Sequence, residues 1–239
     1  DHIALLMENN PRFYEVCGAA QRAGLYYTAI SSRLSAEEAA YIINDCGARI
    51  FITSNYKSEL ATQLLDRIPN VEQKLMIDGT IAGYQSYESS VSEFPAEPLP
   101  DECEGADMLY SSGTTGRPKG VKPAEVGNPI GTEDNLFNML KSQYKVTQNS
   151  IYLSPAPLYH AAPLRYNMRI QRHGATSVIM ENFDAENYLS LLEKYKATHS
   201  QLVPTMFVRM LKLPEEVRQK YDLSALKVAI HAAAPCPEK

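Results

Sequence analysis

The ten residues from Ser111 to Gly120 read SSGTTGRPKG, with three glycines, four hydroxyl side chains, one arginine and one lysine. Glycines allow successive backbone N–H groups to curl around an anion without a clash at Cβ. The hydroxyl groups can donate further hydrogen bonds, and Lys119 adds a positive charge. An apolar stretch with strand character, 106–110, precedes this segment, and a second strand can begin at Val121. The composition therefore predicts a loop that binds a polyphosphate.

The glycine spacing of this loop differs from that of the P-loop NTPases. Their motif has four residues between its glycines and ends in Lys followed by Ser or Thr. Here two residues separate Gly113 from Gly116, and Gly120 follows Lys119. A generic P-loop NTPase is therefore disfavoured. A flexible turn in a β-hairpin is the alternative that involves no phosphate.

The string YSSGTTGRPKGV, residues 110–121, resembles the signature loop of the adenylate-forming superfamily, which includes acyl-CoA synthetases, firefly luciferase and peptide-synthetase adenylation domains. Members activate a carboxylate with ATP, release pyrophosphate and usually pass the acyl group to a thiol. The resemblance implies that Thr114, Thr115 and Lys119 contact the β- and γ-phosphates. It assigns the whole phosphate site to Ser111, Ser112, Gly113, Thr114, Thr115, Gly116, Lys119 and Gly120.

A second segment follows the predicted strand 151–154, where a proline-braced turn presents Tyr159 and His160. Ligands of open α/β sheets gather at the carboxyl ends of strands. The string LYHAAPL, 158–164, resembles the fatty-acyl and related CoA-ligase branches of the superfamily, in which an aromatic–His pair borders the acyl pocket. The resemblance implies that Tyr159, His160 and Ala161 line this pocket and that His160 orients the substrate. Simple packing of both rings is the alternative.

A third segment, Ala233, Ala234 and Pro235, follows a strand-like run at 226–230. Small residues at a strand end let a planar ring lie flat on the backbone, and the segment resembles the adenine-binding segment of the superfamily. With the other two segments, the resemblance implies that Lys119, Thr114, Thr115 and His160 are catalytic. It also implies ATP and coenzyme A as cosubstrates and Mg²⁺ as a cofactor. No metal-ligand set is predicted among the 239 residues.

Strands and helices alternate along the rest of the chain. Asn10 and Pro11 predict the N-cap and first residue of a helix, and Ser35 with Glu38 predicts a capping box for the next helix. Such alternation predicts an α/β fold with mostly parallel sheets covered by helices. We expect two subdomains, 1–94 and 106–239, joined by a Pro-rich acidic connector at 95–105 that is exposed to solvent.

Bulk composition limits the classes of function. The chain is 44% hydrophobic and 21% charged, as is usual for globular proteins, and its net charge of −5 without a basic run disfavours nucleic acid binding. No apolar run is long enough to predict a membrane span. The four cysteines are scattered without a C-x-x-C pair, which favours a reducing compartment and predicts a cytoplasmic protein.

We expect the chain to be a fragment of the large N-terminal domain of an acyl-CoA synthetase. It begins at Asp1 without Met, and the family's Mg²⁺-holding acid, ribose-binding aspartate and C-terminal catalytic lysine are not among its residues. The parent enzyme should convert a carboxylic acid, most simply a fatty acid, to acyl-AMP and then to acyl-CoA, whereas the fragment alone should be poorly active. A non-catalytic nucleotide- or acyl-binding module and an adenylating enzyme with a carrier-protein thiol acceptor are the alternatives. The oligomeric state stays open, a homodimer included.

Overall fold

Parallel strands covered by helices build the protein, whose computed structural model describes residues 1–111, 117–124 and 126–235. The predicted α/β class is confirmed. The chain divides into two units, Asp1–Thr132 and Glu133–Lys239. This boundary differs from the predicted connector at 95–105. The reason is that Ala106 and Asp107, just after the connector, pair with the first unit's sheet and keep the following residues in that unit.

The first unit contains a six-stranded sheet in which every neighbouring pair is parallel. Its elements are β1 (His2–Leu6), α1 (Arg12–Arg22), β2 (Tyr26–Ala29), α2 (Ala36–Asp45), β3 (Ile50–Ser54), α3 (Ser58–Leu64), β4 (Gln73–Ile77), β5 (Gln85–Ser86), α4 (Tyr87–Ser92), β6 (Cys103–Glu104), β7 (Ala106–Asp107), β8 (Leu109–Tyr110), β9 (Gly120–Val121) and β10 (Asn128–Pro129). The strand order of the sheet is β5-β4-β3-β1-β2-β7. All five residues of β1 are buried, as expected for a central strand covered on both faces.

Two helix starts in this unit were predicted, and one of them is shifted. The Ser35 side chain accepts a hydrogen bond from the Glu38 N–H, and the Glu38 carboxylate accepts one from the Ser35 N–H, which confirms the capping box. Helix α1 instead has Pro11 as its N-cap residue. Asn10 was predicted there, but its side-chain amide donates to Glu8 at 2.9 Å. The helix therefore begins one residue later than predicted.

The acidic connector is exposed along 95–101, as predicted, but its last acid is not. Glu104 is buried, and its carboxylate accepts hydrogen bonds from the Gln21 side chain at 2.5 Å and the Gly131 N–H at 3.0 Å. Strand β6, which contains Glu104, also pairs with β10 in antiparallel register. Glu104 thus attaches the segment after β9 to α1, and it does not belong to the solvent-exposed part of the connector.

The second unit contains a four-stranded sheet, also parallel throughout. Its elements are α5 (Asn135–Ser142), β11 (Ile151–Ser154), α6 (Ala161–Arg172), β12 (Thr176–Ile179), α7 (Ala185–Tyr195), β13 (His199–Leu202), α8 (Pro204–Leu211), α9 (Glu215–Arg218) and β14 (Val228–His231). The strand order is β12-β11-β13-β14. Leu153, Tyr188, Leu192 and Leu202 belong to the core that this sheet forms with its helices.

Helix α6 is not predicted from the sequence. Its sequence, AAPLRYNMRIQR, mixes a proline and several polar residues with the apolar ones. Leu164, Met168 and Ile170 are nevertheless buried, and Ile170 belongs to a cluster with Leu140 of α5 and Tyr152 of β11. Across the part of the chain that the structure describes, no helix has the length and apolar content that crossing a membrane requires.

Candidate functional site

The stretch 111–119 lies between the two strands of a β-hairpin in the first unit, β8 and β9. Strands β8 and β9 are antiparallel, with Tyr110 opposite Gly120, and the Ser111 N–H donates to the Lys119 carbonyl at 3.0 Å. The Lys119 side chain is exposed to solvent. The hairpin therefore places one positive charge at the base of its loop. Ser112, Gly113, Thr114, Thr115 and Gly116 lie outside the described residues, so their phosphate contacts stay predictions.

Gly120 has a packing reason to be glycine. A Cβ at this position would clash with Cε of Met108 and would lie 2.9 Å from the Tyr110 ring. The side chains of Met108, just before β8, and of Tyr110 in β8 thus pack directly against the backbone of β9. The absence of a side chain at Gly120 therefore lets Met108 and the Tyr110 ring lie against this hairpin arm.

Tyr159 and His160 lie in the turn between β11 and α6 in the second unit. Their ring centroids are 4.4 Å apart with planes inclined at 52°. His160 is the N-cap residue of α6, with an exposed side chain, and its carbonyl accepts from the Leu164 N–H at 3.1 Å. Leu158, directly before the pair, is completely buried and anchors the turn. The turn therefore presents the imidazole to solvent at a helix N-terminus.

Ala233, Ala234 and Pro235 follow β14 and are all exposed. The Ala232 N–H donates to the Leu202 carbonyl at 3.0 Å, which extends the pairing of β14 with β13 by one residue. Ala233 has a φ of 74°, a left-handed conformation that glycine adopts more easily than alanine. The chain turns sharply at this residue after the strand ends.

The second unit brings two of the three predicted segments to one edge of its sheet. Strands β11, β13 and β14 are parallel, so their carboxyl ends meet at the same edge. One strand separates β11 from β14, which corresponds to about 10 Å between them at the usual strand spacing. Tyr159 and His160 follow β11, and the Ala233 segment follows β14. The remaining predicted segment, in the hairpin formed by β8 and β9, belongs to the first unit.

Helix α6 is fixed behind this edge by polar residues that the sequence analysis does not identify. The buried Asn167 side-chain amide donates to Ser154 Oγ and to the Pro163 carbonyl, both at 2.8 Å. Within the described residues, Oδ1 of Asn167 and Oε1 of Gln201 on β13 are buried without a hydrogen-bond partner. A polar residue at the end of an otherwise apolar strand, such as Ser154, is the sequence signal from which buried polar partners such as Asn167 could have been predicted.

The other end of α6 is braced by α5. Asp134 caps α5 through the Phe137 N–H and forms an ion pair with Arg169 of α6. Burial raises the pKa of Asp134, but the hydrogen bonds from Arg169 and the Phe137 N–H, together with the charges of Arg169 and Arg172, outweigh burial and keep this pKa below its usual value. His173 stacks on Phe137 at 3.8 Å between ring centroids. These contacts hold the helix whose first turn presents His160.

A magnesium site is implied by the resemblance, but the described residues do not supply one. No group of three or more His, Cys, Asp or Glu side chains in 1–111, 117–124 and 126–235 could hold a metal ion. None of these described residues is therefore assigned to Mg²⁺.

Comparisons with known proteins cover the whole chain. The chain is 28% identical to acyl-CoA synthetase 7 of Caenorhabditis elegans, over 100% of this chain and 46% of that protein. It is 27% identical to the medium/long-chain-fatty-acid–CoA ligase FadD8 of Mycobacterium tuberculosis, over 97% of this chain and 41% of that protein. The chain thus spans less than half the length of these two relatives.

The fold matches the inhibitor-bound crystal structure of the N-terminal domain of FACL13 from Mycobacterium tuberculosis. The TM-score is 0.80 at 25% identity, and the match covers 100% of this chain and 58% of that domain's chain. The family description "AMP-binding enzyme" matches residues 1–239. On this match along its full length, the chain belongs to the AMP-binding enzyme family.

Proposed function

We propose that the protein carrying this chain activates a carboxylic acid with ATP and transfers the acyl group to coenzyme A. The observation that carries the proposal is the hairpin around SSGTTGRPKG, whose exposed Lys119 stands at the base of a loop rich in hydroxyls and glycines. The two relatives described above are an acyl-CoA synthetase and a fatty-acid–CoA ligase, which supports a hydrophobic acid as the substrate.

Each predicted segment takes one part of the substrates in this proposal. Lys119 and the hydroxyls of Thr114 and Thr115 hold the phosphates of ATP, with the remaining residues of 111–120 around them. Tyr159, His160 and Ala161 border the acyl chain, and the Ala233–Pro235 segment supports adenine. His160 orients the acid and is not required as a base, because a carboxylate is already ionised at neutral pH.

The chemistry consists of two displacements. A carboxylate oxygen of the acid attacks the α-phosphorus of ATP, the bond from that phosphorus to the bridging oxygen breaks, and pyrophosphate leaves. The thiol of coenzyme A then loses its proton to solvent and its sulfur attacks the acyl carbon. The bond from that carbon to the bridging oxygen breaks, and AMP leaves with the oxygen. Negative charge grows on the phosphates in the first step, so a positioned cation such as Lys119 accelerates it.

The test is acid-dependent ATP–pyrophosphate exchange with a panel of fatty and aromatic acids. Lys119→Ala should reduce exchange by about a hundredfold to a thousandfold, the usual cost of losing one transition-state stabiliser. Lys74→Ala is the matched control, because Lys74 lies in the same unit and its ammonium group donates to the Val71 carbonyl. Equal effects of the two substitutions would contradict the phosphate site.

The acceptor needs a separate experiment. Thioester formation with free coenzyme A supports the proposal, and transfer only to a carrier-protein thiol would favour the alternative acceptor. We further propose that the 239 residues alone catalyse poorly, since the charge-stabilising lysine implied by the resemblance is not among them. ATP binding without exchange in the full-length protein would instead favour a non-catalytic nucleotide-binding module.

A further inference from the structure

Helix α2 contacts both arms of the phosphate hairpin through two residues one turn apart. On the arm before the loop, the Tyr110 hydroxyl donates to Asp45 Oδ2 at 2.5 Å. On the arm after the loop, the Tyr41 hydroxyl donates to the Pro118 carbonyl at 3.3 Å. Tyr41 and Asp45 are four positions apart and therefore lie on the same face of the helix. One helix face thus holds the two arms together.

A cation–π contact adds to the grip on the second arm. The guanidinium carbon of Arg117 lies 5.1 Å from the centroid of the Tyr41 ring, within the range of such interactions. Tyr41 and Tyr110 are both packed against the apolar core of the first unit. The helix-to-hairpin contacts therefore rest on a rigid base.

The position of Lys119 follows from these anchors. Pro118 directly before it is bound by Tyr41, and Gly120 directly after it is paired with Tyr110, which is bound by Asp45. Across the hairpin, the Ser111 N–H donates to the Lys119 carbonyl. The backbone of Lys119 is consequently held from both sides and from the opposite arm.

The position of Asp45 in α2 is one at which a carboxylate does not stabilise the helix. It is the last residue of α2, and the negative end of the helix dipole disfavours an acid there. The last turn of α2 contains no basic residue that would offset this. The bond to Tyr110 is the contribution of Asp45 that the geometry identifies. Burial, with the hydrogen bond to Asp45, raises the pKa of Tyr110, so the phenol stays a donor at neutral pH.

We propose that Tyr41 and Asp45 of α2 are positioning residues, which hold the hairpin arms so that Lys119 faces the phosphates of the nucleotide. The inference rests on the proposed function, because it needs ATP to bind at the hairpin. Neither residue needs to touch the nucleotide. Their effect reaches it through Tyr110 and Pro118.

The direction of the effect separates positioning from simple electrostatics. Removing a carboxylate near an anion site strengthens ATP binding if charge repulsion dominates. If Asp45 instead positions the hairpin, Asp45→Ala weakens ATP binding, by about fivefold for the loss of one hydrogen bond. Asp45→Asn keeps an oxygen acceptor for Tyr110 and should restore the affinity of the wild type.

The experiment measures the ATP dissociation constant by calorimetry, the thermal midpoint, and hydrogen exchange of the amides in 109–111 and 117–121. Asp45→Ala and Tyr110→Phe should each weaken ATP binding and accelerate hydrogen exchange in both arms. The double variant should bind ATP with the same affinity as the single variants, because both substitutions remove the same hydrogen bond. Tyr41→Phe should have a smaller effect than Tyr41→Leu, because only the leucine removes the ring under Arg117. Glu37→Ala, which removes the same charge from the first turn of α2, should leave ATP binding unchanged.

Three outcomes contradict the inference and are distinguishable. If Lys119→Ala weakens ATP binding but Asp45→Ala leaves it unchanged or strengthens it, the positioning role is wrong and the proposed function stands. If the wild type shows no ATP binding that depends on Lys119, the proposed function fails and this inference fails with it. A loss of ATP affinity in Asp45→Ala that Asp45→Asn does not restore also contradicts the role of the hydrogen bond.

Discussion

The hairpin around Lys119 and the sheet edge around His160 and Ala233 are held by different kinds of contact. The hairpin arms are bound by side chains of α2, through Asp45 on one arm and Tyr41 on the other. The segment after β14 is attached through its backbone, from the Ala232 N–H to the Leu202 carbonyl, and Ala233 itself is exposed.

The difference corresponds to what each region is proposed to do. A lysine that stabilises developing charge must point in one direction, and directional hydrogen bonds on both arms restrict the hairpin. A support for a planar ring needs a flat surface without side chains in the way, which small residues after a strand provide. The hairpin should therefore be sensitive to substitutions that leave the sheet edge intact.

The largest effect on stability is expected from Gly120→Ala, which changes the packing of the hairpin and leaves the sheet edge unchanged. The new Cβ would clash with the end of the Met108 side chain and with the Tyr110 ring, and we expect a loss of about 1–3 kcal/mol in the free energy of unfolding. Gly18→Ala in α1 is the control, because open space surrounds that position, and it should stabilise the helix by about 0.5–1 kcal/mol. Urea unfolding measures both, and a Gly120→Ala protein as stable as wild type would show that the arm can move aside.

A smaller effect is expected from pH, acting through His2 beneath the hairpin. Burial, with Lys122 and the chain's amino terminus nearby, lowers the pKa of His2 from 6.5 to about 4. Thr28 donates to the Met108 carbonyl at 2.8 Å, so its hydroxyl oxygen accepts from His2 Nε2, also at 2.8 Å. This pair of bonds links β1 to the residue that enters β8.

The sign of the pH effect follows from the lowered pKa. Between about pH 6.5 and 4 the unfolded chain binds more protons at this residue than the folded chain, so stability falls as pH decreases. We expect a loss of about 1–2 kcal/mol across this window, after allowance for solvent screening. His2→Gln should flatten the dependence, while His231→Gln, an exposed residue of β14, should follow the wild-type curve in urea titrations. A wild-type stability that does not change across this window would contradict the assignment.

The smallest effect is expected at the sheet edge, from Ala233→Gly. Alanine at a φ of 74° is strained, and glycine should relieve about 0.5–1 kcal/mol. Ala234→Gly serves as the control, since the neighbouring alanine does not have a positive φ and gains nothing from glycine. If the segment only offers a flat surface to adenine, ATP affinity should be the same in Ala233→Gly and wild type. A large change in affinity would mean that the Ala233 methyl group contacts the ring.

Much of the fold could be predicted from local patterns. The capping box at Ser35 and the strand Ile151–Ser154 are confirmed at the predicted residues, because caps and apolar runs act within a few residues of one another. Helix α6 is not predicted by these patterns, because the polar Asn167 lies among its apolar residues. The two acceptors of its side-chain amide, Ser154 Oγ on β11 and the Pro163 carbonyl within the helix, are visible only in the structure.

The candidate site divides in the same way. Local composition indicated the phosphate loop, and the strand-to-turn transitions indicated the segments at His160 and Ala233. The contacts of Thr114 and Thr115 stay predictions, as do the roles of the other site residues. Asp45 and Glu104 could not be identified from their neighbours, because Tyr110 lies 65 positions away from the first and Gln21 lies 83 positions away from the second.

The amino-acid sequence by itself determined the alternation of strands and helices, the loop chemistry around Lys119 and the membership in a family of AMP-binding enzymes. These properties depend on residues close together in the chain. The tertiary structure alone decided that the units divide after Thr132, that Glu104 is buried and that α2 holds both hairpin arms. Each of these depends on which strands pair and which helix packs beside them, and the energy of such distant contacts is not visible in any local pattern.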